Sequence, residues 1–215
     1  IQPSIEEQGT ALGFDESRCI DDLQEDCRRL GQPLLSLAVP DDRQTQLAAQ
    51  LTGLNLDFDR GLGPDNLIES VIRMRRILSE EEKQCMRNAA KVTTKAHRWA
   101  MAVTRAGVHE VEIGALFDGI IAASGLTNAY SSIVTVQGEV LHNFHRVNRL
   151  QDGQLMLLDG GAEAKSGYAN DITRTWPVSQ EWTERQRRAY SAVLRAQKES
   201  IAQVVAGNRY RNVHD

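Results

Sequence analysis

Two carboxylates, Asp159 and Asp171, carry the clearest chemical signal in the sequence. Asp159 ends the apolar run Leu155-Met156-Leu157-Leu158, and Asp171 lies in a run rich in β-branched residues, Ile172-Thr173-Arg174-Thr175. Such places demand a partner for a carboxylate, because an unpaired buried charge is costly. If the two segments pair as an antiparallel hairpin turning near Lys165, Asp159 faces Asp171 directly, with Cβ atoms ~5 Å apart. Two like charges that close require a cation or a proton between them. A divalent ion, or a pair ~3.5–4 Å apart that shares and activates a hydroxide, would satisfy both. Oxygen ligands favour Mg, Ca or Mn, and an added histidine extends the set to Co, Fe or Zn. The structural alternative is that Asp159 caps a turn at Gly160-Gly161 while Asp171 pairs with Arg174 or another base.

Other residues carry weaker signals. His142 and His145 follow a strand-like segment, and their spacing fits either metal ligation or an ordinary surface loop. Thr173 shares a strand face with Asp171, where its hydroxyl can hydrogen-bond a ligand carboxylate from the second shell. Arg174 falls on the opposite face, as an exposed residue or salt-bridge partner. Tyr168 and the tryptophans Trp99, Trp176 and Trp182 read as packing aromatics. Gly160-Gly161 lacks phosphate-loop spacing.

The elements that must position these residues follow from capping and periodicity. Ser79-Glu80-Glu81-Glu82 is a capping box that opens a long helix to about Thr104. A second helix spans 110–124 and is closed by Gly125. Residues 131–137, 154–159 and 168–176 read as strands. Thr183 and Gln186 form another capping box, opening a helix to about Val205. Upstream, the pattern predicts a helical stretch over 17–30, a buried strand over 34–39 and a helix over 41–52. Repeated glycines and Pro64 make 53–66 the expected domain boundary, giving units 1–66 and 67–215. Strands cluster between helices without βαβ alternation, which favours α+β.

Asp159-Gly-Gly-Ala-Glu together with Tyr168-Ala-Asn-Asp-Ile-Thr-Arg-Thr resembles the first metal-binding hairpin of the aminopeptidase P and prolidase branch of the pita-bread metallopeptidases. The resemblance covers roughly 70–215. More weakly, the first 66 residues resemble the end of a creatinase-type N-terminal α/β domain. It implies a curved antiparallel sheet flanked by helices, and a metal-dependent Xaa-Pro aminopeptidase. Two divalent ions, manganese first with cobalt or zinc as alternatives, would be held by two Asp, one His and two Glu. Asp159 would bind one ion and Asp171 bridge both, and a bridging hydroxide would attack the carbonyl before proline. His142 falls where the family places a substrate-binding histidine. Asn143 departs from the pattern, since many proline-specific members carry an aromatic there. The His and both Glu ligands would lie beyond Asp215, so this chain alone is expected to be inactive. The alternative is a non-catalytic pita-bread protein that binds a partner through its cleft. A creatinase-like, metal-free enzyme fits less well, because it has no need of two facing Asp residues.

Composition narrows the partners. The 215 residues carry a net charge of −4, and the pI is about 5.8. A protein held to nucleic acid by phosphate contacts needs a basic excess, so nucleic acid is excluded as a main partner. The longest apolar runs fall far short of the ~20 residues of a membrane span. Three cysteines without a CxxC argue against a disulfide framework and suit a reducing cytoplasm. The expected partners are a peptide with proline second and a further copy of the chain in a dimer. The chain begins at Ile1, without a secretory apolar core, and stops soon after a helix, so both ends read as cut from a longer protein.

Overall fold

The structure, a computed structural model, describes residues 3–214. It divides into two compact units, one ending at Leu78 and the other beginning at Ser79. The segment 53–66, expected as the boundary, therefore lies inside the first unit.

The first unit is built from helices α1 (Ile5–Ala11), α2 (Leu23–Leu30), α3 (Asp42–Thr52) and α4 (Asp65–Arg75), with a 3-10 turn at Ile20–Asp22. Asp41 caps α3 by accepting from Arg43 N and Gln44 N, and Gly53 ends it at φ 72°. The segment 34–39, expected as a strand, forms no ladder. Ala38 N donates to Leu62 O, and Thr45 Oγ1 holds Val39 at both its N–H and its carbonyl. One backbone bond does not make a sheet, which is why the apolar run alone misled. Helix α4 was not anticipated. Its Pro64 lead-in follows a glycine cluster that reads as linker, yet proline just before a first turn is well tolerated.

In the second unit, α5 (Glu80–Val103) opens with the expected box: Ser79 Oγ accepts from Glu82 N, and Glu82 Oε2 accepts from Ser79 N. Its buried face is Ala89, Thr93, Ala96, His97 and Ala100, the spacing of one helical stripe. These small side chains let α6 (Glu110–Ala123) approach closely and bury Ile113, Phe117 and Ile121.

The strands are β1 (Thr127–Asn128), β2 (Ile133–Thr135), β3 (Leu155–Gly160), β4 (Ala162–Glu163) and β5 (Ile172–Pro177). An antiparallel sheet runs in the order β2-β3-β5, and β1 pairs with β4. Alternation decides which way each residue of β3 points. Met156 and Leu158 are buried in a core shared with Phe117, Val134, Leu150 and Trp176, so Asp159 is turned to the other face. Helix α7 (Glu184–Ala202) starts at the Thr183–Gln186 box, and the short α8 (Tyr210–His214) follows. This is the α+β architecture expected.

Candidate metal centre

The hairpin that carries the two carboxylates is offset from the expected register. Asp159 pairs with Thr173, and Gly160 with Ile172. Asp171 therefore sits diagonally from Asp159, not opposite it. The turn explains the shift. Gly167 N donates to Ala164 O, Ala164 N donates to Tyr168 O, and Gly167 takes φ 79°. A left-handed residue fixes the reversal one position beyond Lys165, and each one-residue move of the turn changes the pairing by two.

The offset still leaves Asp159, Asp171 and Thr173 on one face, since residues two apart in a strand point the same way. Asp159 is half-buried and Asp171 exposed. Their convergence is shown by a third residue. Tyr130, just ahead of β2, places its hydroxyl 2.7 Å from Asp159 Oδ1 and 2.8 Å from Asp171 Oδ1. The pairing of Ile133 with Asp159 brings this segment alongside the hairpin.

A phenol has one proton and can donate to only one of the two oxygens at a time. The cluster thus holds two carboxylates in reach of one hydroxyl with too few positive charges to balance them, and that donor set fits a divalent cation. Burial pushes the Tyr130 phenol above its ordinary value, and the bonds to Asp159 and then Asp171 reinforce this. The phenol therefore stays protonated as a donor. Among the described residues, no group of three or more His, Cys, Asp or Glu side chains converges as a metal site.

The two glycines after Asp159 serve packing. A Cβ at Gly160 would stand 2.5 Å from the Phe117 ring, and one at Gly161 would stand 1.7 Å from Asn170 O. Gly160 lies within β3, so Asp159 does not cap a turn there. The Arg174 guanidinium donates to its neighbour's carbonyl, Thr173 O, at 2.7 Å. Tyr168 donates to Glu82, tying the hairpin tip to the start of α5.

His142 lies outside the Tyr130 cluster, on the loop between β2 and β3. It is exposed, has φ 52°, and stacks on Phe144 with ring centroids 6.3 Å apart. Asn143 is buried beside it. Its Nδ2 donates to Thr135 Oγ1 and its Oδ1 accepts from His145 N, so the amide pins the loop from inside. His145 contributes that N–H, and its side chain is exposed.

Tyr130 was missed in the sequence because it stands 29 and 41 residues from its partners in no motif. The available signal was topological: an antiparallel β2–β3 pairing brings whatever precedes β2 to the carboxylate end of β3.

Residues 84–215 match the model of metallopeptidase family M24. The chain belongs to this family. It is 35% identical over 145 residues to Xaa-Pro aminopeptidase 3 of Homo sapiens, covering 66% of this chain and 28% of that protein. It is 36% identical over 134 residues to Xaa-Pro aminopeptidase of Escherichia coli, covering 61% of this chain and 30% of the relative. Among solved structures, an E. coli aminopeptidase P variant in complex with substrate aligns at TM-score 0.76 and 26% identity. That alignment covers 92% of this chain and 47% of the other. Proline aminopeptidase P II from Yersinia pestis aligns at TM-score 0.76 and 28% identity, covering 98% and 51%. The pita-bread fold is thus present in part. The chain spans about a third of its curated relatives and about half of the solved chains.

Proposed function

We propose that the full-length protein is a metal-dependent aminopeptidase that hydrolyses the bond between an N-terminal residue and proline. The second unit, which begins at Ser79, would supply the first half of its catalytic domain. The observation that carries this reading is the convergence of Asp159 and Asp171 on the Tyr130 hydroxyl. Relatives named Xaa-Pro aminopeptidase supply the substrate class.

Asp159 and Asp171 would contribute two of the ligands of a two-ion site, manganese first, with cobalt or zinc as alternatives; a zinc-substituted E. coli aminopeptidase P is among the similar structures. When bound, such ions supply Lewis-acid activation of water and of the scissile carbonyl. This chain's residues bind and orient. Tyr130 keeps its proton and donates it to one carboxylate at a time, orienting that one beside the other. Thr173, on the same face and directly across from Asp159, supports that carboxylate. His142 reaches the substrate from the β2–β3 loop. The free states of Cys19, Cys27 and Cys85 support a reducing, cytoplasmic setting. No helix among the described residues is long and apolar enough to cross a membrane. A homodimer is the assembly we propose for the full-length protein.

The test is Asp171→Asn in the full-length protein. Metal-dependent hydrolysis of Xaa-Pro peptides should be lost while the circular dichroism spectrum is kept. Turnover at the parent rate would overturn the reading.

A further inference from the structure

The loop that carries His142 is held by a side-chain network that neither the motif nor the metal site requires. Asp118, on α6, is its hub. Its Oδ1 accepts from Asn128 Nδ2 at 2.8 Å and from Ser132 Oγ at 2.6 Å. Those two residues flank Tyr130. Its Oδ2 accepts from Arg146 Nη1 at 2.9 Å, and Arg146 Nη2 donates to Ser132 O at 2.9 Å. The Arg146 guanidinium is largely buried and lies across Gly114, where a Cβ would stand 2.2 Å from Nη1. A second carboxylate, Glu110, is fully buried and closes the base of the same loop. It accepts from Val136 N and Asn148 N, both at 2.8 Å.

Between 137 and 149 only Asn143 is buried, so beyond that one amide the loop has little packing of its own to hold one conformation. Charge-assisted bonds to a guanidinium fork fix both position and orientation. We propose that the Asp118–Arg146 pair is the positioning device of the site. Arg146 sets the His142 loop, and the same Asp118 carboxylate sets the Tyr130 segment, so the substrate-side histidine and the carboxylate cluster are held in one fixed relation. The proposal rests on the functional reading of His142 given above.

The test uses the full-length protein with two variants, Arg146→Gln and Gly114→Ala. The second expels the guanidinium while replacing glycine by a better helix former, so its effect cannot be put down to a weakened α6. Amide hydrogen exchange over 140–147 should quicken about tenfold in both, the size expected for one lost charge-assisted bond, with α5 and β3 unchanged. In steady-state kinetics on an Xaa-Pro peptide, kcat should fall about tenfold while KM moves about twofold or less, and neither variant should add a further loss to His142→Ala. Unchanged exchange in the loop, or losses that multiply with His142→Ala, would overturn the proposal. Parental turnover by His142→Ala would instead remove the functional reading of that histidine, and this proposal with it. The exchange measurement involves no turnover, so it separates the two failures.

Discussion

At the scale of single residues, the site is organised by a tyrosine. Two carboxylates on one strand face repel, and the Tyr130 hydroxyl offsets part of that repulsion by donating to one of them. On the proposed reading, fixing that carboxylate before an ion arrives lowers the ordering cost of binding. Tyr130→Phe keeps the ring and deletes the donor. The full-length variant should bind its divalent ion about tenfold more weakly, as groups that orient ligand carboxylates do when removed. Titration of the metal-free protein with Mn(II) by calorimetry reads this directly. An affinity equal to the parent's would mean that Tyr130 packs beside the pair without orienting it.

At the scale of elements, the local signals were legible and the long-range ones were not. The boxes at Ser79 and Thr183 could be read from four residues each, and both are present as hydrogen bonds. The Asp-Ile-Thr-Arg-Thr run marked the hairpin, but its register depended on where Gly167 turns the chain, and spacing alone put the reversal one residue early. The apolar run 34–39 had the composition of a strand but only Leu62 O as a backbone partner for Ala38, because pairing is a property of two segments. Asp118, Glu110 and Tyr130 act across loops, and their bonds span 10 to 41 residues without any motif to mark both ends. The hairpin itself makes a sharp prediction. The carbonyl of Asn170 occupies the space a side chain would take at Gly161. Gly161→Ala should push the return strand away and cost about 1–3 kcal/mol, in the range of strain within a packed region. A urea midpoint unchanged from the parent would show that the return strand yields without loss.

At the scale of the whole second unit, α5, α6 and the hairpin share one core, and a histidine lies within it. His97 is buried on α5, its Nδ1 is 3.0 Å from Thr93 O, and its ring meets Phe117 edge-on at 5.0 Å. Among the described residues its Nε2 meets no partner at full hydrogen-bond geometry, although the carbonyls of Leu158 and Ile172 lie near enough to favour a proton on the ring. Burial holds its pKa below the ordinary histidine value; the carbonyls of Thr93 and Leu158 work against that shift, and the positive charge of Arg174 adds to it. Since the folded state resists the proton that the unfolded chain takes up near pH 6.5, stability is full above that pH. It is lost as pH falls from there toward the depressed folded value. Because His97 touches helix and sheet at once, the loss should be felt by the core as a unit and not by one frayed end. The thermal midpoint should therefore decline between about pH 6.5 and 5.5, before carboxylates begin to titrate. His97→Met keeps an apolar side chain of similar reach without a proton site, and its midpoint should stay level across that window. Parallel curves for parent and variant would assign the acid sensitivity to another group.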